Sequence, residues 1–249
     1  MMRKLTKKIK RLFIWGLVLL AAYVLASVAW DMLHLPQIDE LRAKNPKTTA
    51  LMEQRKREAR AKGQSFSPNQ EFAPYGQISP YLKSAVLVAE DAGFFSHQGI
   101  DYAEIKEAIK TDWKKKAFAR GASTITMQLA KNLYLSTSKS LTRKISEAAL
   151  ARRMDDRLSK ARIFELYLNY IEWGPGLFGC QAASLFYFGC PAAELSPEQA
   201  VRLASIIINP RRYGPFADSK RMATRRKWIA QKMLQFGYLT ETEFETLNF

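Results

Sequence analysis

Cysteine is scarce in this chain. Of 249 residues two are cysteine, Cys180 and Cys190, too few for a disulfide framework. A short helix predicted over residues 181–187 holds their α-carbons too far apart to bridge, so both are read as free thiols. Alternation of apolar and polar residues is missing over any length, and so is any internal repeat, which points away from β-rich and solenoid architectures. Acids are absent from residues 1–11, where Arg3, Lys4, Lys7, Lys8, Lys10 and Arg11 crowd together. Charge of either sign is absent from residues 12–30.

What is present completes that outline. Hydrophobic residues make up 47% of the chain, enough for a real core in one domain behind an anchor. The net charge is +16, and the chain stays basic beyond its first residues. That balance favours an anionic partner: nucleic acid, a phospholipid surface or a diphosphate substrate. At about 1.5 Å per residue a helix over residues 12–30 reaches roughly 28 Å, close to the thickness of a bilayer core. The basic block before it puts the N-terminus in the cytoplasm and the rest outside. Ser27, Val28 and Ala29 also resemble a signal-peptide cleavage site, but the apolar run exceeds a usual signal core and favours an uncleaved anchor. The expected division is a basic tail at 1–11, a transmembrane anchor at 12–33, a juxtamembrane linker at 34–73 and a globular domain at 74–249. Pro36, Pro46 and Pro68 punctuate the linker, and residues 52–62 read either as a basic helix near lipid headgroups or as a solvated surface segment.

From Ser79 onward the pattern is helical. Ser79 and Pro80 open a helix that ends near Glu90 and Asp91. Asp101 and Glu104 form a capping box before a helix carrying Ile105, Ala108, Ile109 and Trp113. Ser123 or Thr124 caps a helix to Tyr134. Others follow over 142–158, from Ser159 to Ile171, from Ser196 to Asn209 and over 218–236, and Thr240 with Glu243 caps a last short one. The class is all-α.

Three segments carry chemistry. Glu90 and Asp91 lie at the negative end of a helix dipole beside Phe94 and Phe95. Dipole and desolvation there raise a carboxyl's pKa toward the range of a working acid or base; the plain alternative is a solvated helix end. The stretch Arg120, Gly121, Ala122, Ser123, Thr124 leads into a helix whose first amides suit an anion, with Lys131 and Asn132 two turns on; the plain alternative is a pair of ordinary caps. Arg143 and Glu147, four residues apart on one helix face, form either a simple stabilising pair or a second acid kept ionised by cations.

Taken together these segments resemble the peptidoglycan glycosyltransferases of family 51. The family motif E-D-x-x-F-x-x-H-x-G is matched by Glu90, Asp91, Phe94, His97 and Gly99. G-G-S-T-I-T-Q-Q is matched by Gly121, Ser123, Thr124, Ile125, Thr126 and Gln128, with departures at Ala122 and Met127. R-K-x-x-E is Arg143, Lys144 and Glu147. A fourth motif lies at 160–169 and a fifth at 202–215, and residues 172–179 are similar to the monofunctional branch. The resemblance implies a lysozyme-like helical domain with a smaller membrane-associated lobe, outside the bacterial inner membrane on a single-pass anchor. It implies transfer of a growing undecaprenyl-diphosphate-linked glycan to the 4-hydroxyl of lipid II, with inversion to a β-1,4 product. Glu90 would be the general base and Glu147 an aid on the donor side. Lys131, Lys139 and Arg143 would hold the diphosphate, Ser123 and Gln128 would line the donor site, and Asp91, His97 and Phe94 would support. No organic cofactor is implied; a divalent cation, Mg or Mn, is admitted. The implied partners are lipid II, the nascent glycan, the membrane and other cell-wall synthesis or division proteins, with no nucleic acid. A lysozyme-like or lytic hydrolase, and a non-enzymatic anchored binding module, are the alternatives. Ser136 to Lys139 also spells S-x-x-K, but no KTG-like or SDN-like partner accompanies it.

Overall fold

A computed structural model describes residues 2–33, 36, 38–115, 123–135 and 141–249. Helix α1 (Met2–Leu33) carries the uncharged run predicted from the sequence. Among the described residues no helix is long and apolar enough to cross a membrane. The side chains at 27, 28 and 30–33 lie outside the described set, so the expected anchor rests on the sequence alone.

Helix α2 (Ala50–Ala61) starts at Thr49, whose Oγ1 accepts from Met52 N. It is anchored inward by Leu51 and Met52, and Arg55 turns to the buried Glu172. Helix α3 (Pro80–Glu90) begins with proline at its first position and buries Leu82, Ala85 and Val86 completely. Ser79 stands at the N-cap as expected, but its side chain makes no capping bond: the hydroxyl donates to Leu195 O instead. Asp101 accepts from Glu104 N and opens α4 (Tyr102–Lys115). Thr124 caps α5 (Ile125–Tyr134). Then come α6 (Leu141–Arg157), α7 (Lys160–Tyr170), α8 (Cys180–Phe188), α9 (Pro197–Ile206), α10 (Lys220–Gln235) and α11 (Glu241–Glu245).

Two packed groups surround the core: α5 lies against α6, α7 and α2, while α3 lies against α9 and α10. Leu129, Leu150, Phe164, Tyr167, Leu203 and Ile229 are fully buried between them. Each fully buried aliphatic or phenyl side chain there contributes roughly 1.5–3 kcal/mol. Helix is dominant, as expected, but a three-stranded sheet is present that the sequence pattern did not signal. Strand β3 (Leu177–Phe178) pairs in parallel with β1 (Asn69–Gln70) and antiparallel with β2 (Glu172–Gly174). Strands of two and three residues are too short to produce an alternating pattern. Asn169, buried on α7, locks the sheet's approach by accepting from Ala73 N and donating to Ala73 O. Cys180 and Cys190 are free, as read from the sequence.

Candidate active site

The end of α3 and the start of α5 are tied together by the first and second sequence motifs. Asp91 Oδ2 accepts from Ile125 N, the first amide of α5, at 3.0 Å. A carboxylate suits that place because it is the positive end of the helix dipole. His97 Nε2 lies 3.0 Å from both Asp91 oxygens, the geometry of an N–H donating to a carboxylate. Burial pushes the Asp91 carboxyl up from its ordinary value, against the pull of the Ile125 amide, His97 and Lys160. Thr124 Oγ1 caps α5 by accepting from Met127 N and donates to Gly99 O at 2.6 Å. Gly99 has φ +77°, and a β-carbon on it would sit 2.6 Å from Ala151 O, so glycine is required twice over. Phe94 is fully buried against Phe164, with their ring centroids 5.6 Å apart, and holds this corner in place. Asp91, His97 and Phe94 thus join the end of α3 to α5 and α7.

Glu90 faces the other way, into a cleft of about 630 Å³. Its side chain is 13% exposed. Oε1 accepts from Arg225 Nη2 at 2.9 Å and Oε2 from Gln128 Nε2 at 3.0 Å. Gln128 Oε1 in turn accepts from the buried Tyr167 hydroxyl, which fixes the amide with its NH₂ toward Glu90. Burial raises the Glu90 pKa above the ordinary carboxylate value, and Gln128, Arg225 and Lys131 offset part of the rise. The expected direction holds, but its walls differ. Phe94 belongs to the core and Phe95 is exposed, whereas Arg225, Trp228 and Ile208 line the cleft with Glu90.

The second acid, Glu147 on α6, is 3% exposed at its side chain and is gripped by two cations. Arg143 Nη1 donates to Oε2 and Lys144 Nζ to Oε1. Lys144 Nζ also donates to Ser123 Oγ at 2.6 Å. Lys131 links the two carboxylates electrostatically. Burial lowers its pKa, helped by Arg143 and Lys144, while Glu147 and Glu90 both pull it back up. Glu90, Gln128, Lys131, Ser123, Arg143 and Glu147 thus share one neighbourhood. Lys139 lies outside the described residues, as do Gly121 and Ala122.

Two functional contacts were missed in the sequence. Lys144 was noted only as a motif letter, although its spacing to Glu147 puts both on one helix face. Arg225 was not singled out at all. Its signal is the set Arg225, Trp228, Lys232 and Phe236, spaced three, four and four residues apart along α10 and all lining the Glu90 cleft. Trp228 is 42% exposed there.

For a metal, Asp91, His97 and Asp101 each bring a ligand atom within 4.8 Å of the others. Asp91 is engaged with Ile125 N and His97 Nε2, and Asp101 Oδ1 with Glu104 N, whereas His97 Nδ1 is buried with no partner among the described residues. An imidazole suits poorly an ion such as Mg that takes oxygen ligands in a near-octahedral shell.

A mostly helical fold with a buried carboxylate facing a cleft, and a second, cation-gripped acid coupled to it through Lys131, is the arrangement of a glycosyl-group-handling class. The family described as Transglycosylase matches residues 57–234, and the chain belongs to it. The chain is 44% identical to the Biosynthetic peptidoglycan transglycosylase of Nitrosomonas europaea, an alignment covering 93% of this chain and 95% of that one. It is 42% identical to the protein of the same description from Nitrosomonas eutropha, over 87% of this chain and 88% of that one. With the Azoarcus sp. relative it shares 40% identity over 88% and 97%.

Proposed function

We propose that this transglycosylase polymerises peptidoglycan glycan strands, transferring the growing undecaprenyl-diphosphate-linked chain to the 4-hydroxyl of the GlcNAc of lipid II. The observation that carries the reading is the pairing of a buried carboxylate of raised proton affinity, Glu90, with the cations around Glu147. The acceptor oxygen attacks the donor's anomeric carbon while Glu90 takes the hydroxyl proton. The bond from that carbon to the phosphate oxygen breaks, and its electron pair leaves with the diphosphate. Attack from the face opposite the leaving group inverts the α-linkage to β-1,4. Gln128 and Arg225 orient the Glu90 carboxylate and limit the rise of its pKa, which keeps it usable as a base near neutral pH.

The departing diphosphate carries two to three negative charges, and preorganised cations are the direct way to stabilise them. Lys131, Arg143 and Lys144 supply that charge, and Lys139 belongs to the same set by its motif position. Lys131 lies among Glu147, Arg143, Lys144 and Glu90 and is depressed in pKa by burial, so an arriving anion strengthens its positive form. Glu147 acts on the donor side by holding Arg143 and Lys144 in place. Ser123 and Gln128 line the donor site.

The same reading gives the chain its place. The basic tail at 1–11 and the uncharged run from residue 12 form a single-pass anchor in the inner membrane, with the catalytic domain at 74–249 outside. A lipid-linked substrate requires that closeness, and the positive charge of the chain suits an anionic membrane surface. Other wall-synthesis and division proteins are the expected neighbours there.

The test is Glu90→Gln with lipid II as substrate. Loss of a general base costs about 10²–10⁴-fold in rate, so polymer formation should fall by that factor while the melting curve still shows a folded protein. Polymerisation at the unaltered rate would refute the assignment.

A further inference from the structure

The segment that follows α1 is tied down more firmly than a spacer requires. Arg162, on α7, donates through Nε to Leu41 O at 2.7 Å, and through Nη2 to Lys44 O at 3.1 Å and Asn45 Oδ1 at 2.7 Å. Tyr170, also on α7, donates its hydroxyl to Pro46 O at 2.7 Å. Arg42 Nε donates to Arg157 O at the end of α6. These bonds engage backbone carbonyls and the Asn45 amide, not the charged side chains of Glu40, Lys44 and Lys47. Between this strap and the last turn of α5 lies a cavity of about 530 Å³. It shares no lining residue with the Glu90 cleft or with the recess beside Lys131. Its size falls within the roughly 300–1,000 Å³ of small-ligand sites.

The walls carry both signs of charge. Glu40, Lys44 and Lys47 stand beside the apolar surface of Leu133 and Tyr134. Burial, with Glu40 nearby, pushes the Tyr134 phenol up to about 12, so it stays a protonated donor. Lys44 Nζ and Glu40 Oε2 are 3.7 Å apart, but their side chains are 75% and 61% exposed. Solvent screens such a pair, and a ligand displaces it at little cost. A phosphate with an ammonium in the same molecule answers both signs: the lysines and the phenol meet the phosphate oxygens, and the Glu40 carboxylate meets the ammonium. Glu40 follows the end of α1 by seven residues, which span at most roughly 25 Å when extended. Resting on the anchor in the proposed function, we infer that this cavity binds the headgroup of a zwitterionic phospholipid, a phosphodiester bearing a primary amine, as in phosphatidylethanolamine. The glycerol and the first methylenes lie on Leu133 and the Tyr134 ring. An anionic headgroup without the amine, such as that of phosphatidylglycerol, leaves Glu40 facing a like charge and binds less well. Leu133 and Tyr134 end the helix that carries Gln128 and Lys131, so a headgroup held there keeps α5 at a fixed place over the membrane surface.

The test titrates the full chain in a non-ionic detergent with dihexanoyl-phosphatidylethanolamine, dihexanoyl-phosphatidylglycerol and glycerophosphoethanolamine, and counts bound molecules by native mass spectrometry. The ethanolamine lipid should bind up to about fivefold tighter than the glycerol lipid, the worth of one exposed ion pair. Glu40→Lys should reverse that order, and Lys47→Glu should weaken binding of both lipids; both positions are exposed, so neither change disturbs the core. Equal affinities for the two lipids, or an unchanged order in Glu40→Lys, overturn the inference. Glycerophosphoethanolamine, the headgroup without its chains, should bind more weakly than the lipid. Binding as tight as the lipid's would assign the cavity to a soluble phosphate ester and overturn the lipid source. Neither polymerisation nor membrane retention enters this measurement, so a failure of the proposed function is a separate result.

Discussion

Glu90 holds its proton more tightly than a glutamate in water because burial strips solvent from its carboxylate, and Gln128 and Arg225 recover part of the loss. The polymerisation rate should therefore climb with pH through a value above the ordinary glutamate range, since the ionised form is the base. Arg225→Ala removes one of the contributions that lower this pKa. The acid limb of the pH–rate profile should then move to higher pH, which a merely structural arginine would not cause. The same sign governs stability. A carboxyl whose folded pKa is raised favours the fold below the ordinary carboxylate range, and that contribution disappears as pH rises through the raised value. Melting temperatures measured across that range for the unaltered protein and Glu90→Gln should separate as the pH rises, with the wild type losing ground. Equal slopes would contradict the burial of Glu90. The carboxylate itself was legible in the sequence from its helix end, whereas the spacing along α10 that includes Arg225 does not say which acid it meets 135 residues away.

Helix α5 depends on what other segments deliver to its first turn. Thr124 accepts from Met127 N and donates to Gly99 O, while Asp91 accepts from Ile125 N. Replacing Thr124 by alanine should cost about 1 kcal/mol for the cap, read as a lower melting temperature with the site still assembled. Gly99→Ala should be worse, because the new β-carbon meets the Ala151 carbonyl and the positive φ is strained for any L side chain; a variant as stable as the wild type would contradict the close approach. Caps of this kind were readable wherever partner and cap are neighbours in the chain: Ser159, Ser196 and Thr240 all do as expected. Ser79 has the right residue type in the right place, but Leu195 O competes for its hydroxyl from 116 residues away. The small sheet escaped for the same reason, since β1 and the β3 strand it pairs with are separated in the chain by α3 to α7.

At the scale of the whole molecule, the cleft lined by Glu90, Trp228 and Lys232 and the recess lined by Arg55, Gln128 and Lys131 share Ile208 as a wall. The sequence motifs supplied Glu90, Gln128 and Lys131. Side chains from α10 and α2 join them only in the fold. If residues 12–33 form an anchor, the full chain expressed in bacteria should stay in the membrane pellet through alkaline carbonate, which strips proteins held only by charge; release into the supernatant would refute the anchor.

The most direct test of the central claim supplies the purified full chain with lipid II and, separately, with finished peptidoglycan, and follows polymer and released undecaprenyl diphosphate together. One diphosphate freed for each new glycosidic bond, with no fragments shed from the finished wall, is the predicted result. Fragments from the wall with no polymer from lipid II would contradict it and identify a hydrolase.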